Sequence, residues 1–217
     1  MRFELFSKTV AEALLAVQAI SLNPSSAHYA GAAISTPPIL AVNLPHKVKN
    51  EFPFSIANKI IEIVPEADIC MHYSIKYNSA RTLEEAVEKF GSFLTKAESI
   101  GIRSVLLVSG GGEKKSVNSL TLLQEMQRKG AIAGKVQIGV AYNPFFPNDG
   151  DRVRELQRLK DKISTSMVTS IWLQFGSDTV LLSQGLENLK RLELDEQKVK
   201  IFGSLFVPSK LLLARMR

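Results

Sequence analysis

The sequence is poor in cysteine and in clustered charge. Cys70 is the only cysteine among 217 residues, which excludes an intrachain disulfide and is typical of a reducing compartment. There are 27 basic and 21 acidic residues, for a net charge of +6, and they are scattered along the chain. Scattered basic residues favour an ordinary solvated surface over a nucleic-acid-binding surface. We therefore expect no nucleic-acid partner.

Long uncharged apolar runs are also missing. The first 20 residues are apolar, but Glu4, Lys8 and Glu12 interrupt them, and no clean small-residue cleavage site follows. No uncharged apolar run approaches the ~20 residues that cross a bilayer. The sequence thus predicts a soluble cytoplasmic protein that has no membrane partner.

Three common ligand-binding patterns are absent. Residues 7–11, which follow the first predicted strand, contain no glycine, so the dinucleotide motif of an open sheet is missing. No His, Cys, Asp or Glu spacing resembles a metal site. Glycines 110–112, with Lys114 and Lys115 after them, do not form a P-loop. A flexible loop is favoured there, and a phosphate-bearing ligand is the alternative.

The dominant pattern is a short apolar strand followed by a helix, repeated along the chain. The clearest helix begins at a capping box formed by Thr82 and Glu85 and ends before Gly101. Its apolar residues recur at spacings of three and four. The predicted strands are 2–6, 38–43, 67–72, 104–108, 136–141, 170–173 and 199–203, and the predicted helices are 9–20, 55–63, 83–100, 120–127, 152–163, 179–189 and a last one from 208.

This alternation predicts an α/β fold with right-handed crossovers and parallel strands. About seven β/α units in a row, without the glycine fingerprint, favour a TIM-type (β/α) barrel over an open doubly wound sheet. Such a barrel has eight units and about 250 residues. We therefore expect a single barrel domain over residues 1–217 that is incomplete. A truncated product, a shortened isoform or a partner that supplies the last unit would explain the missing strand.

Polar residues end the predicted strands, at the rim where such barrels place their sites. Strand ends are often polar because they lead into polar loops. From this pattern alone, a functional site and an ordinary polar surface are therefore equally favoured. For single residues, an outward-facing Glu4 and a hydrogen-bonded core His72 are favoured. A carboxyl group buried in a barrel mouth would instead favour its protonated form and suit a general acid.

Several segments together resemble the catalytic domain of the methylenetetrahydrofolate reductase family. Their order and spacing hold from residue 1 to about residue 207. They are FELF at 3–6, which resembles the first strand; CMHYS at 70–74, the third strand end; GIRSV at 101–105, the approach to the fourth; AYNP at 141–144, the fifth strand end; LKDK at 159–162, a helix motif; and QF at 174–175 with Asp178, the sixth strand motif.

The resemblance implies a flavin-dependent oxidoreductase of folate one-carbon metabolism. It implies an FAD cofactor at the barrel rim, NADH or NADPH as reductant and a folate-like substrate. Glu4 would be the catalytic acid and Gln174 would bind substrate. The residues implied to bind the cofactor are Asn43, His72, Gly110, Tyr142 and Lys162.

The chain also departs from the family at charged positions. Residues 109–111 are Ser-Gly-Gly where the family has Arg-Gly-Asp, Phe146 replaces a histidine and Asp161 replaces an arginine. These departures and the missing eighth strand keep a second interpretation open. In it, the chain is a non-catalytic or regulatory truncated homologue that binds a partner chain, and a homo-oligomer is one such arrangement.

Overall fold

The computed structural model describes residues 2–4, 41–46, 52–78, 80–110, 117–130, 134–192, 194 and 199–203. The strands there are β1 Arg2–Glu4, β2 Ala41–Leu44, β3 Asp68–Ser74, β4 Ser104–Val108, β5 Gln137–Tyr142, β6 Val168–Leu173 and β7 Lys200–Phe202. The helices are α1 Phe52–Ile63, α2 Leu83–Ser99, α3 Ser119–Arg128, α4 Asp149–Ser164 and α5 Thr179–Lys190.

The chain divides into two compact units, Met1–Ile138 and Gly139–Arg217. In the first unit, β1, β2, β3 and β4 lie side by side in chain order, and each neighbouring pair is parallel. In the second unit, β5 lies beside β6, and β6 pairs with β7 in parallel. Parallel neighbours that follow chain order, with a helix between most of them, are typical of a β/α barrel.

The predicted fold class is therefore confirmed as an incomplete TIM-type barrel. The described residues hold seven strands, one fewer than a closed barrel needs. The single domain over residues 1–217 stays a prediction. In the described part of the chain, no helix is long and apolar enough to cross a membrane. Some predictions fall outside the described residues. They concern the helix over 9–20, the helix from 208, and Lys114 and Lys115.

One face of the first unit's sheet is apolar and covered by helices. The Tyr73 ring on β3 lies 4.7 Å from the Phe90 ring and 4.9 Å from the Phe93 ring of α2. Phe93 also packs on Phe54 of α1, at 5.1 Å. Alternate residues of a strand share a face, so this face carries Val42, Leu44, Ile69, Met71, Tyr73, Val105 and Leu107, all buried.

Helix α2 begins and ends as the sequence predicts, with one difference at its start. The Thr82 hydroxyl accepts from the Glu85 amide at 3.1 Å, but the Glu85 carboxylate accepts from the Arg81 amide at 2.6 Å. The reciprocal bond of a capping box is thus shifted by one residue. At the other end, Gly101 has φ +83°. The amide of Ile102 donates to Ala97, which is the Schellman arrangement.

Helix α4 begins three residues before its predicted start. The Asn148 side chain accepts from the Asp151 amide at 2.8 Å, which caps the helix. Asp149 and Asp151 lie in its first turn, where the positive end of the helix dipole stabilises a negative charge. Acidic residues before the apolar pattern therefore belong to the helix.

Candidate functional site

The other face of β2–β4 carries several polar side chains, together with Leu106 and Val108, which pair with His72 and Ser74. The register pairs Asn43 with Cys70 and Cys70 with Ser104, so these three residues share one face. His72 and Ser74 follow Cys70 at alternate positions of β3 and lie on the same face. We call Asn43, Cys70, His72, Ser74 and Ser104 the polar face.

The polar groups on this face lie at different positions along the strands. The Ser104 hydroxyl, at the start of β4, donates to the Ile69 carbonyl at 3.2 Å and so has a structural partner. His72 and Ser74 lie near the carboxyl end of β3, where parallel barrels place their sites. His72 and Asn43 are half-buried and Ser74 is buried. The carboxyl-terminal part of the polar face is therefore the candidate site.

Glu4 stands next to this site in the backbone register. Strand β1 pairs Glu4 with Asn43, so both residues occupy the same level of the sheet. The side chain of Glu4 lies outside what the structure describes. Its role as a catalytic acid stays a prediction.

Gly110 brings two loops together beside the polar face. Its φ of +83° is a conformation that favours glycine. A Cβ atom there would lie 2.6 Å from the Lys76 Cβ and 3.2 Å from the Ser74 Oγ. The Lys76 amide also donates to the Ser109 carbonyl at 3.2 Å. The glycine is thus explained by close packing of the loops after β3 and β4.

The start of α3, which follows this loop, already has partners for its first amides. The Ser119 amide donates to the Ser109 hydroxyl at 2.9 Å. The amides of Leu120 and Thr121 donate to the Asn118 side chain at 2.9 and 3.2 Å. A phosphate at a helix start binds to such amides. These three bonds therefore weaken the alternative of a phosphate-bearing ligand at α3.

Sequence reasoning missed a histidine at the same rim. His46 follows β2 by two residues and is 8% exposed, and its Nδ1 lies 3.1 Å from the Asn78 Nδ2. The Asn78 Nδ2 also donates to the Ser74 carbonyl at 3.0 Å. A carbonyl only accepts, so the amide nitrogen faces both partners and His46 Nδ1 is an acceptor. The neutral ring then carries its proton on Nε2.

A cation and an aromatic ring adjoin His46. The Tyr77 ring lies 5.8 Å from the His46 ring, and the Lys76 ammonium lies 5.9 Å from the Tyr77 ring centre. All three residues follow strand ends. A polar residue shortly after a predicted strand was the signal that could have identified them, but it is a common one in loops.

In the second unit, the Tyr142 side chain is turned toward the helices. The Asn188 amide of α5 hydrogen-bonds to its hydroxyl, and a Cβ at Gly185 would approach its ring at 3.7 Å. Burial raises the pKa of Tyr142, the Asn188 bond lowers it and Glu155 raises it. The Gln174 side chain is exposed. Its backbone amide donates to the Tyr142 backbone carbonyl at 2.8 Å.

Lys162 lies in the last turn of α4 and is 5% exposed. Burial lowers the pKa of its ammonium, the Glu155 carboxylate raises it and Arg158 lowers it. The last turn is far from the Asn148 cap, which follows the carboxyl end of β5. The predicted site residues are thus divided. Asn43, His72 and Gly110 lie around the candidate site with Glu4 in register, whereas Tyr142, Lys162 and Gln174 belong to the second unit.

Among the described residues, no group of three or more His, Cys, Asp or Glu side chains could hold a metal ion. No protein-family model matches the chain, and no curated protein matches it significantly. A similar solved structure is that of N-acetylneuraminate lyase from Mycoplasma synoviae, with 10% identity and a TM-score of 0.48. The match covers 93% of this chain and 61% of that chain, so this chain spans less than two thirds of that protein.

The expected membership in the methylenetetrahydrofolate reductase family is wrong, because no family model and no curated protein matches the chain. The flavin-dependent oxidoreductase function and the truncated-homologue alternative are wrong with it. The motifs that carried the resemblance were short, of two to five residues each. FAD and NADH or NADPH were expected through this resemblance alone, and no observation tests them.

Proposed function

We propose that the carboxyl-terminal part of the polar face binds a small polar metabolite and that His72 exchanges a proton with it. The observation that carries this proposal is the contrast between the two faces of β2–β4. One face is uniformly apolar and covered by helices. The other has an amide, an imidazole and a hydroxyl, from Asn43, His72 and Ser74, toward the end of the strands where barrel enzymes act.

Each side chain has a role that its chemistry allows. Asn43 and Ser74 both donate and accept hydrogen bonds, which suits the hydroxyl or carbonyl oxygens of a ligand. An imidazole exchanges protons near neutral pH. Lys76 is exposed at the same rim and supplies a positive charge for an anionic group. We include Glu4 as the second proton-transfer residue because it occupies the register position beside Asn43.

The first test is ligand binding by thermal shift. The probes are pyruvate, ribose 5-phosphate and ribose, because they separate the contributions of carbonyl, anionic and hydroxyl groups. We expect an anionic probe to raise the unfolding temperature of the wild type, and His72→Ala and Ser74→Ala to reduce that rise. Ser104→Ala is the matched control, since Ser104 lies on the same face at the other end of the strands and should leave the rise unchanged.

The second test is proton exchange. Incubation of the bound probe in D₂O, followed by proton NMR, measures exchange at the carbon next to its carbonyl group. We expect His72→Ala to slow this exchange about 100-fold or more, as for the loss of a general base, and Glu4→Gln to slow it by a smaller factor. The proposal is wrong if no probe shifts the unfolding temperature, or if His72→Ala and Ser104→Ala behave alike.

A further inference from the structure

The second unit contains a cleft of about 460 Å³ between α4, α5 and the loop after β5. Its volume is in the range of small-molecule sites. One side is closed because α5 packs tightly on that loop: a Cβ at Gly185 would lie only 2.5 Å from the Pro144 Cβ. The lining includes apolar side chains from both helices, among them Leu156 and Leu181.

Two amides converge on the cleft from α5. Gln184 and Asn188 both line it, and residues four apart lie on the same side of a helix. An amide has two donor hydrogens and two acceptor lone pairs. The bond from Asn188 to the buried Tyr142 hydroxyl uses one donor and orients the amide. The cleft therefore combines apolar side chains with two amide groups that both donate and accept, and Tyr142 orients the one of Asn188.

Charges at the cleft are already paired within the protein. The Arg152 guanidinium pairs with Asp149. It also donates to the carbonyls of Phe146, at 2.6 Å, and Pro147, at 3.1 Å. A guanidinium held in this way offers little to an anion, and a carboxylate neutralised by it offers little to a cation. These bonds favour an uncharged ligand.

From these three observations we infer that the α4–α5 cleft is a second small-molecule site, which takes an uncharged ligand with an apolar body and a carboxamide-like edge. The edge pairs with Gln184 and Asn188, and the body lies against Leu156 and Leu181. The site is formed by the second unit's own residues and uses none of the polar face of β2–β4.

The test is a titration of the full chain by two-dimensional amide NMR with benzamide, and with benzoate as its charged isostere. We expect benzamide to shift resonances of α4 and α5 with a Kd below about 1 mM, and benzoate to bind at least several-fold more weakly. Gln184→Leu should weaken benzamide binding about 5- to 10-fold, the size of one neutral hydrogen bond. Leu181→Trp, which fills the cleft, should abolish it.

The matched control is Gln157→Leu. Gln157 is an exposed glutamine on α4 that bonds to Asp161, so its loss should leave the Kd unchanged. The inference is overturned if benzamide shifts no α4 or α5 resonance at millimolar concentration. Equal affinity for benzoate, or equal effects of Gln184→Leu and Gln157→Leu, would overturn it too.

Discussion

Asn78 holds the His46 ring by a hydrogen bond of 3.1 Å between Nδ2 and Nδ1. The residues are 32 positions apart and follow the ends of neighbouring strands. Because the same Nδ2 donates to the Ser74 carbonyl, one amide fixes both the turn after β3 and the tautomer of the histidine.

We expect Asn78→Ala to lower the free energy of unfolding by about 1–2 kcal/mol, because it removes two part-buried hydrogen bonds. Asn78→Asp should cost at least as much, since a carboxylate oxygen faces the Ser74 carbonyl, and it should move the His46 proton to Nδ1. Denaturant unfolding and long-range ¹⁵N imidazole spectra measure the two effects. Asn58→Ala, at an exposed position of α1, is the control, and an equal loss in both alanine variants would contradict this prediction.

Gly139→Ala should destabilise the protein by about 1–3 kcal/mol through overpacking. A Cβ at this position would lie 2.5 Å from the Trp172 Nε1 and 2.6 Å from the Ser170 Oγ, two atoms joined by a hydrogen bond. Gly91→Ala is the matched control. Nothing lies within 4 Å of its added Cβ, and a helical alanine gains about 0.5–1 kcal/mol. Thermal unfolding should therefore show shifts of opposite sign.

Lys162→Met should stabilise the protein at pH 7 by on the order of 1 kcal/mol, because the apolar stem is kept and a buried charge is removed. Burial lowers the pKa of Lys162 in the folded state, so the unfolded state binds more protons between the folded pKa and about 10.5. Wild-type stability therefore rises with pH in that window, and the advantage of the variant should shrink. Lys160→Met, at an exposed position of the same helix, is the control, because it removes no buried charge.

Glu125 on α3 should contribute to acid stability. The Arg128 guanidinium holds its carboxylate with two bonds, of 2.7 and 2.6 Å, and this lowers the pKa of Glu125 below the ordinary value of a glutamate. The contribution is complete above that value and is lost as the pH falls through the folded pKa. Glu125→Gln should therefore unfold at a higher pH in an acid titration. The exposed Glu88→Gln should match the wild type, and a shared midpoint for both variants would argue against the role of Glu125.

The sequence predicted helix α2 well because its apolar spacing and its terminal residues indicate the same helix with the same ends. The orientation of β5 was not predictable in the same way. Residues 137–142 read QIGVAY, and such an apolar strand has no polar alternation to show which side chains face the helices. Tyr142 therefore read as a rim residue, and only its contacts with α5 place it beneath the helix.

The burial of a long charged side chain could not be predicted from the sequence either. Lys160 and Lys162 are both lysines of the same helix, and only packing of the last turn separates the exposed from the buried one. His46 was missed because its environment depends on contacts between distant parts of the chain. It comes after Pro45 in a predicted loop, and its bond to Asn78 joins positions that only the strand pairing brings together.

The chain's single tryptophan lies in the second unit. The indole of Trp172 stacks on the Phe202 ring at 4.3 Å, with 17° between the ring planes, and is 8% exposed. Indole emission therefore reports the integrity of the β6–β7 edge in the second unit. Fluorescence and far-ultraviolet circular dichroism, followed in one melt, would show whether the two halves of the molecule lose their structure cooperatively or one after the other.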